Sequence, residues 1–578
     1  MKNLLPTFFL LASFCLKGQT NLLVTNTIAD QVIKGNFDPT LFASSNTVSN
    51  HQEIIQYIQN NIQADSLKAY ILKMATFQNR NTGSDTISSI TGIGAARRWA
   101  FSKFQEFSSA AENRLIPSYF QFDQAICTVN QHRNIISVLP GSNIDLHEVI
   151  IIEGHIDSRC ETACDILCSA EGIEDNASGS ALVLELARIM SNFSYPNTIV
   201  FMLTIGEEQG LYGSNAFALY CQTNAIPVKA VLNNDVIGGV ICGNTSSSPS
   251  CPGANEIDST QVRIFSYGGF NSPFKQLSRF VKLQYKEELL QHVSVPMLIS
   301  IMTPEDRSGR SGDHVPFRQK NFTACRFTSA NEHGNASNGA GYVDRQHTSQ
   351  DILGIDTDFN GQIDSFFVDF NYLARNAVIN GTAATIAAKG PKKPDFTIST
   401  ITGPGIIVEI TDQTQYSTYR VGLRTLSNDW DTVYTINEII DTIYPSQANN
   451  YIVSVASVDT AGMESLFSKE INILDNQLIM NELQTDDSKP FQLLQNRPNP
   501  FDEATIIGVY VKSQMRYKSA WISIEDLTGK EIERIPIHLN EEINEVQYEH
   551  GYGRTGTFSY SLYVDNRKIE SKRMVFAN

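Results

Sequence analysis

The stretch EVIIIEGHID (148–157) and the three runs after it decide the fold of this chain. They read EDNASGSALVLELARIM (174–190), NTIVFMLTIGEEQGLYGS (197–214) and VKAVLNNDVIGG (228–239). Short β-branched runs alternate here with segments of helical period, which predicts a βαβαβ unit. We therefore expect an α/β domain whose mixed, mostly parallel sheet is flanked by helices.

Metal-ligand side chains follow each strand run of this unit. Ligands of such sheets bind outside the carboxyl ends of the parallel strands, so the side chains at these ends should line one crevice. The candidates are His155, Asp175, Glu207, Glu208 and Asp235. Imidazole nitrogen and carboxylate oxygen are the ligands that zinc takes when it keeps an open position for chemistry.

Length and charge limit the function classes. At 578 residues the chain should divide into three or four domains. The 44 basic and 61 acidic residues give a net charge of -17. That balance disfavours binding to a phosphate backbone, so nucleic acid is excluded as a partner.

The first residues predict export. MKNLLPTFFLLASFCLKGQ (1–19) has a lysine before a short apolar run, as a signal peptide does. Cleavage near Gln19 fits better than a lipid anchor at Cys15, because Phe14 stands where such anchors need a small residue. No later run reaches the roughly 18 apolar residues of a membrane span, so we expect no transmembrane segment and a secreted or cell-surface protein.

Eight cysteines remain after the signal peptide, and an exported chain usually pairs them in disulfides. Cys242 and Cys251 bracket a short loop and are the natural local pair. An alternative is that Cys160, Cys164 and Cys168 hold a metal, although their spacing matches no zinc finger.

Residues 20–50 show no clear period and are expected to form a leader or strap. The α/β domain should cover residues 51–390, with two helical stretches before the sheet. RNIISVLPGS (133–142) runs directly into the stretch at 148, so these two strands are expected to be neighbours. Pro391 and Pro394 mark the first boundary.

Beyond that boundary the hydrophobic period becomes two, which predicts two small all-β sandwich domains, at 391–475 and 476–578. The first resembles a fibronectin type III module in its Tyr419, Trp430 and Tyr451 placements. The second resembles the C-terminal sorting domain of the bacterial type nine secretion system, in NRPNPF (496–501) and the terminal KRMVF. That resemblance implies the secretion machinery as a partner and export through the periplasm of a Gram-negative-type bacterium.

The ligand set suits two zinc ions that share one hydroxide. In this hypothesis Asp175 bridges the ions, His155 and Asp235 complete one site, and Glu208 and His347 complete the other. Two zinc ions then balance three carboxylates and the hydroxide. Glu207 stays free to act as general base, and Asp157 can orient the His155 ring.

Six motifs carry a resemblance to the zinc-dependent leucyl aminopeptidase-like exopeptidases, which have two co-catalytic zinc ions. They are GHID (154–157), EDNASG (174–179), GEEQGLYGS (206–214), NNDVIG (233–238), SGDHVPF (311–317) and QHTSQD (346–351). The resemblance implies the same five ligands and the same base. The three-cysteine insertion after GHID and Gln346 before the ligand histidine depart from the family pattern and bear on substrate preference.

Other residues near these motifs have alternative interpretations. His314 and His333 compete with His347 as the last ligand, and the QHTSQD context favours His347. His314 and Asp313 fit the pocket wall better. Arg159, Arg310 and Glu332 could contact substrate or form loop salt bridges.

DTDFNGQID (356–364) places oxygen side chains where a calcium loop needs them, on Asp356, Asp358, Asn360 and Asp364. Position 12 is Phe367 instead of a carboxylate, so an Asx-rich turn is the equal alternative to calcium.

The sequence thus predicts a secreted di-zinc exopeptidase that removes amino-terminal residues from peptides, because a free α-amine suits an acidic site. A carboxypeptidase is the near alternative, with Arg159 binding the substrate carboxylate. A glutaminyl cyclase-like acyltransferase fits less well. A non-catalytic surface adhesin is the alternative of another class.

Overall fold

The structure, a computed structural model, describes residues 19–241, 256–303, 305–306, 310–331, 345–401, 405–425, 429–446, 451–473, 489–497, 499–501, 504–513, 516–549 and 556–576. Its α-helices are α1 (Thr27–Ile33), α2 (His51–Asn61), α3 (Ala64–Ala75), α4 (Gly92–Ala110), α5 (Ser178–Met190), α6 (Tyr212–Thr223), α7 (Pro273–Gln284), α8 (His314–Gln319) and α9 (Phe370–Lys389). The first strands are β1 (Thr20–Val24), β2 (Ile116–Ile126), β3 (Val129–Leu139), β4 (Val149–His155), β5 (Thr198–Thr204), β6 (Val228–Asn234), β7 (Gln261–Phe265), β8 (Leu298–Ile301), β9 (Ala324–Ser329), β10 (Gly354–Ile355) and β11 (Ser365–Phe366).

Nine strands form the main sheet, in the order β1-β2-β3-β5-β4-β6-β9-β7-β8. Its centre is parallel, since β5, β4, β6 and β9 run in one direction. The strands on the β1 side pair antiparallel, so the sheet is mixed as predicted. One prediction is wrong: β3 and β4 are not neighbours, because β5 lies between them and pairs with both.

Both faces of the central strands are covered, which explains their uninterrupted apolar sequences. Every residue of β4 and of β5 is buried. Helix α5 packs closely on this centre at Gly179, where a Cβ atom would lie 2.0 Å from the Asn234 carbonyl oxygen. The glycine of EDNASG therefore lets the helix approach the ends of the strands that carry the candidate ligands.

The amino-terminal part differs in detail from the expected outline. Residues 20–24 add the edge strand β1 to the main sheet, and α1 follows. The first helical stretch is two helices, α2 and α3, so three helices and not two separate residue 51 from β2. Helix α2 starts where Asn50 Oδ1 accepts the amides of Gln52 and Glu53, a side-chain cap.

Two all-β units follow, as predicted. The first has β12 (Phe396–Thr400), β13 (Ile406–Ile410), β14 (Thr418–Arg424), β15 (Thr432–Ile436), β16 (Ile440–Ile443), β17 (Tyr451–Val458) and β18 (Ile471–Ile473). The second has β19 (Phe491–Leu493), β20 (Ala504–Val511), β21 (Ala520–Glu525), β22 (Glu531–Pro536), β23 (Glu542–Glu549), β24 (Gly556–Val564) and β25 (Arg567–Phe576). Each unit consists of one three-stranded and one four-stranded antiparallel sheet. The domain boundaries and the fibronectin-like identity stay predictions.

The cysteines pair only in part. Disulfides join Cys127 to Cys164 and Cys160 to Cys168, so the alternative of a metal held by the three-cysteine insertion is wrong. Of the described cysteines, Cys221 and Cys325 are buried thiols, against the expectation that all eight would pair. The predicted Cys242–Cys251 pair lies outside the described residues. Within the described ranges, no helix is long and apolar enough to cross a membrane.

Candidate active site

The carboxyl ends of β4, β5 and β6 meet at one edge of the sheet and carry the predicted ligands. His155 ends β4, and its Nε2 lies 3.4 Å from Asp235 Oδ1, just after β6. The same nitrogen lies 3.1 Å from Asp175 Oδ1. The parallel centre of the sheet thus brings together side chains that are far apart in the sequence.

Asp175 divides its two carboxylate oxygens between two histidines. Oδ1 faces His155, while Oδ2 lies 3.1 Å from Nε2 of His347. The same His347 nitrogen is 3.1 Å from Glu208 Oε2. The result is two adjacent groups of ligand atoms with one shared carboxylate, as a pair of metal ions needs.

The donor set fits two cations. Ligand atoms of His155, Asp175 and Glu208 lie within 4.8 Å of one another, as do those of His155, Glu207 and Asp235. The His155, Asp175, Glu208 and Asp235 side chains are buried, and His155 Nε2 and Glu208 Oε1 make no hydrogen bond of acceptable geometry. Buried carboxylates gathered this closely need positive charge, and zinc accepts this mixture of nitrogen and oxygen.

Without cations the cluster holds protons. Burial disfavours the charged form of His347, but Glu208 and Asp175 outweigh it and raise its pKa to about 9. In the same way Glu207 and Asp235 overcome burial and raise the pKa of His155 well above its ordinary range. These protons occupy the nitrogens that metal binding would require, which is how metal affinity becomes linked to pH.

Glu207 lies in the loop between β5 and α6, beside the ligand groups. Its Oε2 is 4.0 Å from His155 Nε2, and its side chain keeps 11% of its surface exposed. Burial raises the pKa of Glu207 well above that of an ordinary carboxyl group, and the neighbouring Asp235 and Glu208 carboxylates add to the shift. A carboxyl group with a raised pKa can both take up and release a proton near neutral pH.

Asp157 has a wider role than the predicted orientation of a ring. His155 Nδ1 lies 3.1 Å from the Asp157 backbone oxygen and 3.5 Å from Oδ1 of the same residue. Oδ2 instead accepts the amides of Gly206 and Glu208 and the hydroxyl of Thr82. One buried carboxylate therefore fixes both a ligand histidine and the loop that carries Glu207.

Sequence reasoning missed the residue that holds Asp175. Asp351 accepts the backbone amides of Glu174 and Asp175, each at 2.9 Å, and it lies on the same loop as His347. His347 itself has φ of 59°, a left-handed conformation that few residues other than glycine adopt. The position of Asp351 inside QHTSQD was the available signal.

Two buried arginines were also missed. Arg80 donates to the backbone oxygens of Ile156, which follows His155, and of Gly172, three residues before Asp175. Arg326 reaches Oδ2 of Asp235 at 3.1 Å. Neither arginine stands in one of the six motifs, so no local signal could have found them.

The remaining residues that the sequence suggested for the site differ in where they lie. His314 is buried against the Glu305 carbonyl, whereas His347 contacts Asp175 and Glu208. Asp313 accepts the hydroxyls of Thr204 and Ser214, behind the ligand edge. Arg159 and Arg310 both reach His347 and are described below. Glu332 and His333 lie outside the described residues.

The predicted calcium loop is an exposed turn. Carboxylate oxygens of Asp356, Asp358 and Asp364 come within 4.8 Å of one another. Asp356 and Asp358 accept the Asn360 amide, and Asp364 accepts that of Thr357. An Asx-type turn explains these contacts, and calcium binding stays a prediction.

Comparison with known proteins agrees with this geometry. The profile of peptidase family M28 matches residues 134–370. A probable zinc metalloprotease of Pyrenophora tritici-repentis is 30% identical over 364 residues, which are 59% of this chain and 78% of the relative. One of Leptosphaeria maculans is 29% identical over 70% of this chain and 94% of its own length.

A solved structure of the Legionella pneumophila LapA aminopeptidase is 19% identical over 61% of this chain and 80% of its own, with a TM-score of 0.43. The family match lies over the strands, ligands and base described above, and the Pyrenophora relative is matched over most of its length. On this evidence the chain belongs to peptidase family M28.

Proposed function

We propose that this protein is a di-zinc aminopeptidase that hydrolyses the first peptide bond of peptides with a free amino terminus. The observation that carries the proposal is the division of Asp175 between His155 and His347. A carboxylate with each oxygen turned to a different histidine suits a bridge between two ions. The zinc metalloprotease names of the relatives agree with that choice of metal.

His155, Asp235 and Asp175 would hold one zinc ion, and His347, Glu208 and Asp175 the other. Bound zinc lowers the pKa of a water molecule and polarises a carbonyl oxygen. The protein contributes the arrangement: Asp351 fixes the backbone of Asp175, and Arg326 holds the second oxygen of Asp235. Ligands held this way keep their spacing through the reaction.

Glu207 is the group that moves the proton. Glu208 and Asp235 are committed to the histidines, whereas Glu207 lies at the edge of the cluster. We infer that its carboxylate takes the proton of the attacking water and delivers it to the nitrogen of the leaving amine. A carboxyl group that is committed to neither histidine and keeps part of its surface exposed can carry out both halves of that task.

The acidic surroundings favour attack at the amino end. Two zinc ions would balance the hydroxide and the carboxylates of Asp175, Glu208 and Asp235, so the Glu207 carboxylate is the remaining negative charge that attracts a substrate ammonium group. The carboxypeptidase alternative rests on Arg159 and Arg310 beside His347.

A pair of blocked peptides tests the direction of attack. We expect cleavage of a peptide with a free amine and an amidated carboxyl end, and no cleavage of the matched peptide with an acetylated amine and a free carboxyl end. Chelation should abolish turnover and added zinc should restore it, as mass spectrometry of the products over time would show. Cleavage of the acetylated peptide would indicate the carboxypeptidase, and a zinc-free, inactive chain would indicate an adhesin.

We also propose that the protein is exported and released through its last domain. The two disulfides support an oxidising compartment. The NRPNPF motif contacts the last strand of this domain. Asn499 Oδ1 accepts the Val575 amide, and Phe501 packs on Phe576. The motif and the terminal strand thus form one folded unit, which a secretion receptor can recognise.

Deleting residues 490–578 tests this proposal. We expect the shortened protein to stay in the periplasm with its peptidase activity intact, because the ligands and base all lie before residue 390. Cell fractionation with the full chain as control measures the distribution. Normal release of the shortened chain would contradict the sorting role.

A further inference from the structure

We propose that Arg159 binds a carboxylate group of the substrate, so that the enzyme prefers peptides with an acidic group close to the scissile bond. The inference rests on the proposed peptidase function and deepens it by naming a substrate class. It starts from an arrangement of two arginines at the open side of His347.

Two guanidinium groups approach a single ring nitrogen. Arg159 Nη2 and Arg310 Nη1 each lie 2.9 Å from Nδ1 of His347. Nε2 of this ring faces the Asp175 and Glu208 carboxylates and would hold zinc, so Nδ1 of the neutral ring carries the proton and cannot accept the N–H group of Arg159. The two cations also repel each other at this distance. An anion beside Arg159 would accept its N–H groups and offset the repulsion between the two cations.

Arg159 has donor capacity for such an anion. Its Nε is buried and lies 3.4 Å from Glu208 Oε2, so the terminal Nη groups are its donors toward substrate. Its side chain is 22% exposed, so one side faces the cleft, whereas the Glu208 side chain is 2% exposed. The two terminal nitrogens of a guanidinium match the two oxygens of a carboxylate.

The disulfide-bonded insertion, residues 160–168, fixes the position of Arg159. One disulfide closes the insertion (Cys160–Cys168), immediately after Arg159, and another ties it to the turn between β2 and β3 (Cys127–Cys164). A loop fastened twice loses little conformational entropy when substrate binds, which strengthens a contact made by the adjoining residue.

Hydrogen bonds connect the same insertion to the catalytic loop. The Ala163 carbonyl accepts Nε2 of Gln209, two residues after Glu207, and Nδ2 of Asn81. Arg159 and Glu207 are therefore held in one rigid frame on the two sides of the ligand cluster.

Three sources could supply the carboxylate: the side chain of the first residue, the side chain of the second, or the carboxyl terminus of a dipeptide. Matched pairs separate them, namely Glu against Gln at position one, Glu against Gln at position two, and a dipeptide against its amide. We expect wild-type kcat/KM to favour the charged member of one pair about ten- to a hundredfold.

Variants then assign the preference. R159Q should remove it by lowering kcat/KM for the charged member alone, and R159K should keep part of it, since lysine retains the charge without the fork. R98Q, on the exposed face of α4, is the control and should change nothing. Zinc content should equal that of the wild type in all three variants.

Two outcomes would overturn the inference. One is a wild-type enzyme that shows no preference within any pair. The other is an R159Q variant that loses activity equally on both members, which would mean that Arg159 only supports Glu208.

Titration calorimetry measures the binding of the same peptides to the E207Q variant. Because binding is measured without turnover, this test does not depend on catalysis. Tighter binding of the charged member, lost on adding R159Q, supports the carboxylate site even if the aminopeptidase assignment fails. Equal binding of both members contradicts it.

Discussion

Replacing Glu207 with glutamine is expected to lower kcat by about 10²–10⁴-fold, the usual contribution of a general acid or base. Glutamine has nearly the same shape but cannot accept the proton, so the variant should fold as before and keep about two zinc ions per chain. Steady-state kinetics together with metal analysis by mass spectrometry make the measurement.

The matched control is E106Q, which removes an exposed carboxylate on α4 that pairs with Lys103. It should leave both turnover and zinc unchanged. A nearly normal kcat in E207Q would exclude Glu207 as the base. Loss of zinc in that variant would instead make Glu207 a ligand, since Glu207 groups with His155 and Asp235 by distance.

Replacing Glu470 with alanine is expected to cost about 3–5 kcal/mol of folding free energy, because it removes a buried carboxylate that pairs with two buried guanidinium groups. Glu470 lies in the first all-β unit and is fully buried. Its carboxylate accepts Arg424 of the same unit at 2.6 Å and Arg279 of helix α7 at 3.0 Å. The triad therefore joins this unit to the peptidase domain.

Several contacts around the triad suggest that the two domains unfold together. The Asn271 amide donates to Glu470, and Gln276 donates to the Ser468 carbonyl. Trp430 and Phe467 pack with Leu283 of α7 in a small apolar cluster. In E470A we expect the single thermal transition to split, with the all-β unit unfolding first.

D429A is the control for E470A, because the Lys282–Asp429 pair lies at the same interface but is 27% and 42% exposed. An ion pair of that kind contributes about 0–1 kcal/mol. Scanning calorimetry of both variants makes the comparison. Equal, small losses would show that the buried triad does not hold the domains together.

The pH dependence of the triad has a definite sign. Burial opposes ionisation, but Arg424 and Arg279 hold the pKa of Glu470 below its ordinary value. The contribution of Glu470 is therefore complete above its unfolded pKa of about 4.3 and is lost as the pH falls through the lower, folded value.

The order of the strands shows where sequence reasoning reached its limit. The period of the apolar runs predicted the strands and the helices between them, because local periodicity reports which faces are buried. The periodicity did not reveal that β5 lies between β3 and β4. The position of a strand in the sheet depends on the path of the crossover connection, which the residues of the strand itself do not record.

The cysteines show the same limit in another form. An even count in an exported chain suggested complete pairing, yet Cys221 on α6 and Cys325 on β9 are buried thiols in the core. Pairing requires Cα atoms within about 7 Å, a condition set by the packing of distant elements. The count alone could not separate the paired cysteines from these two.

The types of metal ligand could be predicted from the sequence. Parallel strands end at one edge of a sheet, and the chain places a histidine or a carboxylate after each of them. The contacts of each ligand atom could not be predicted in this way. That Asp175 turns one oxygen to His155 and the other to His347, that Asp351 holds its backbone, and that two arginines face the same imidazole all depend on loops that meet only in the folded chain. Local sequence records the burial and chemistry of each residue, whereas the contacts between distant loops follow from the order of the strands and the packing of the helices on them.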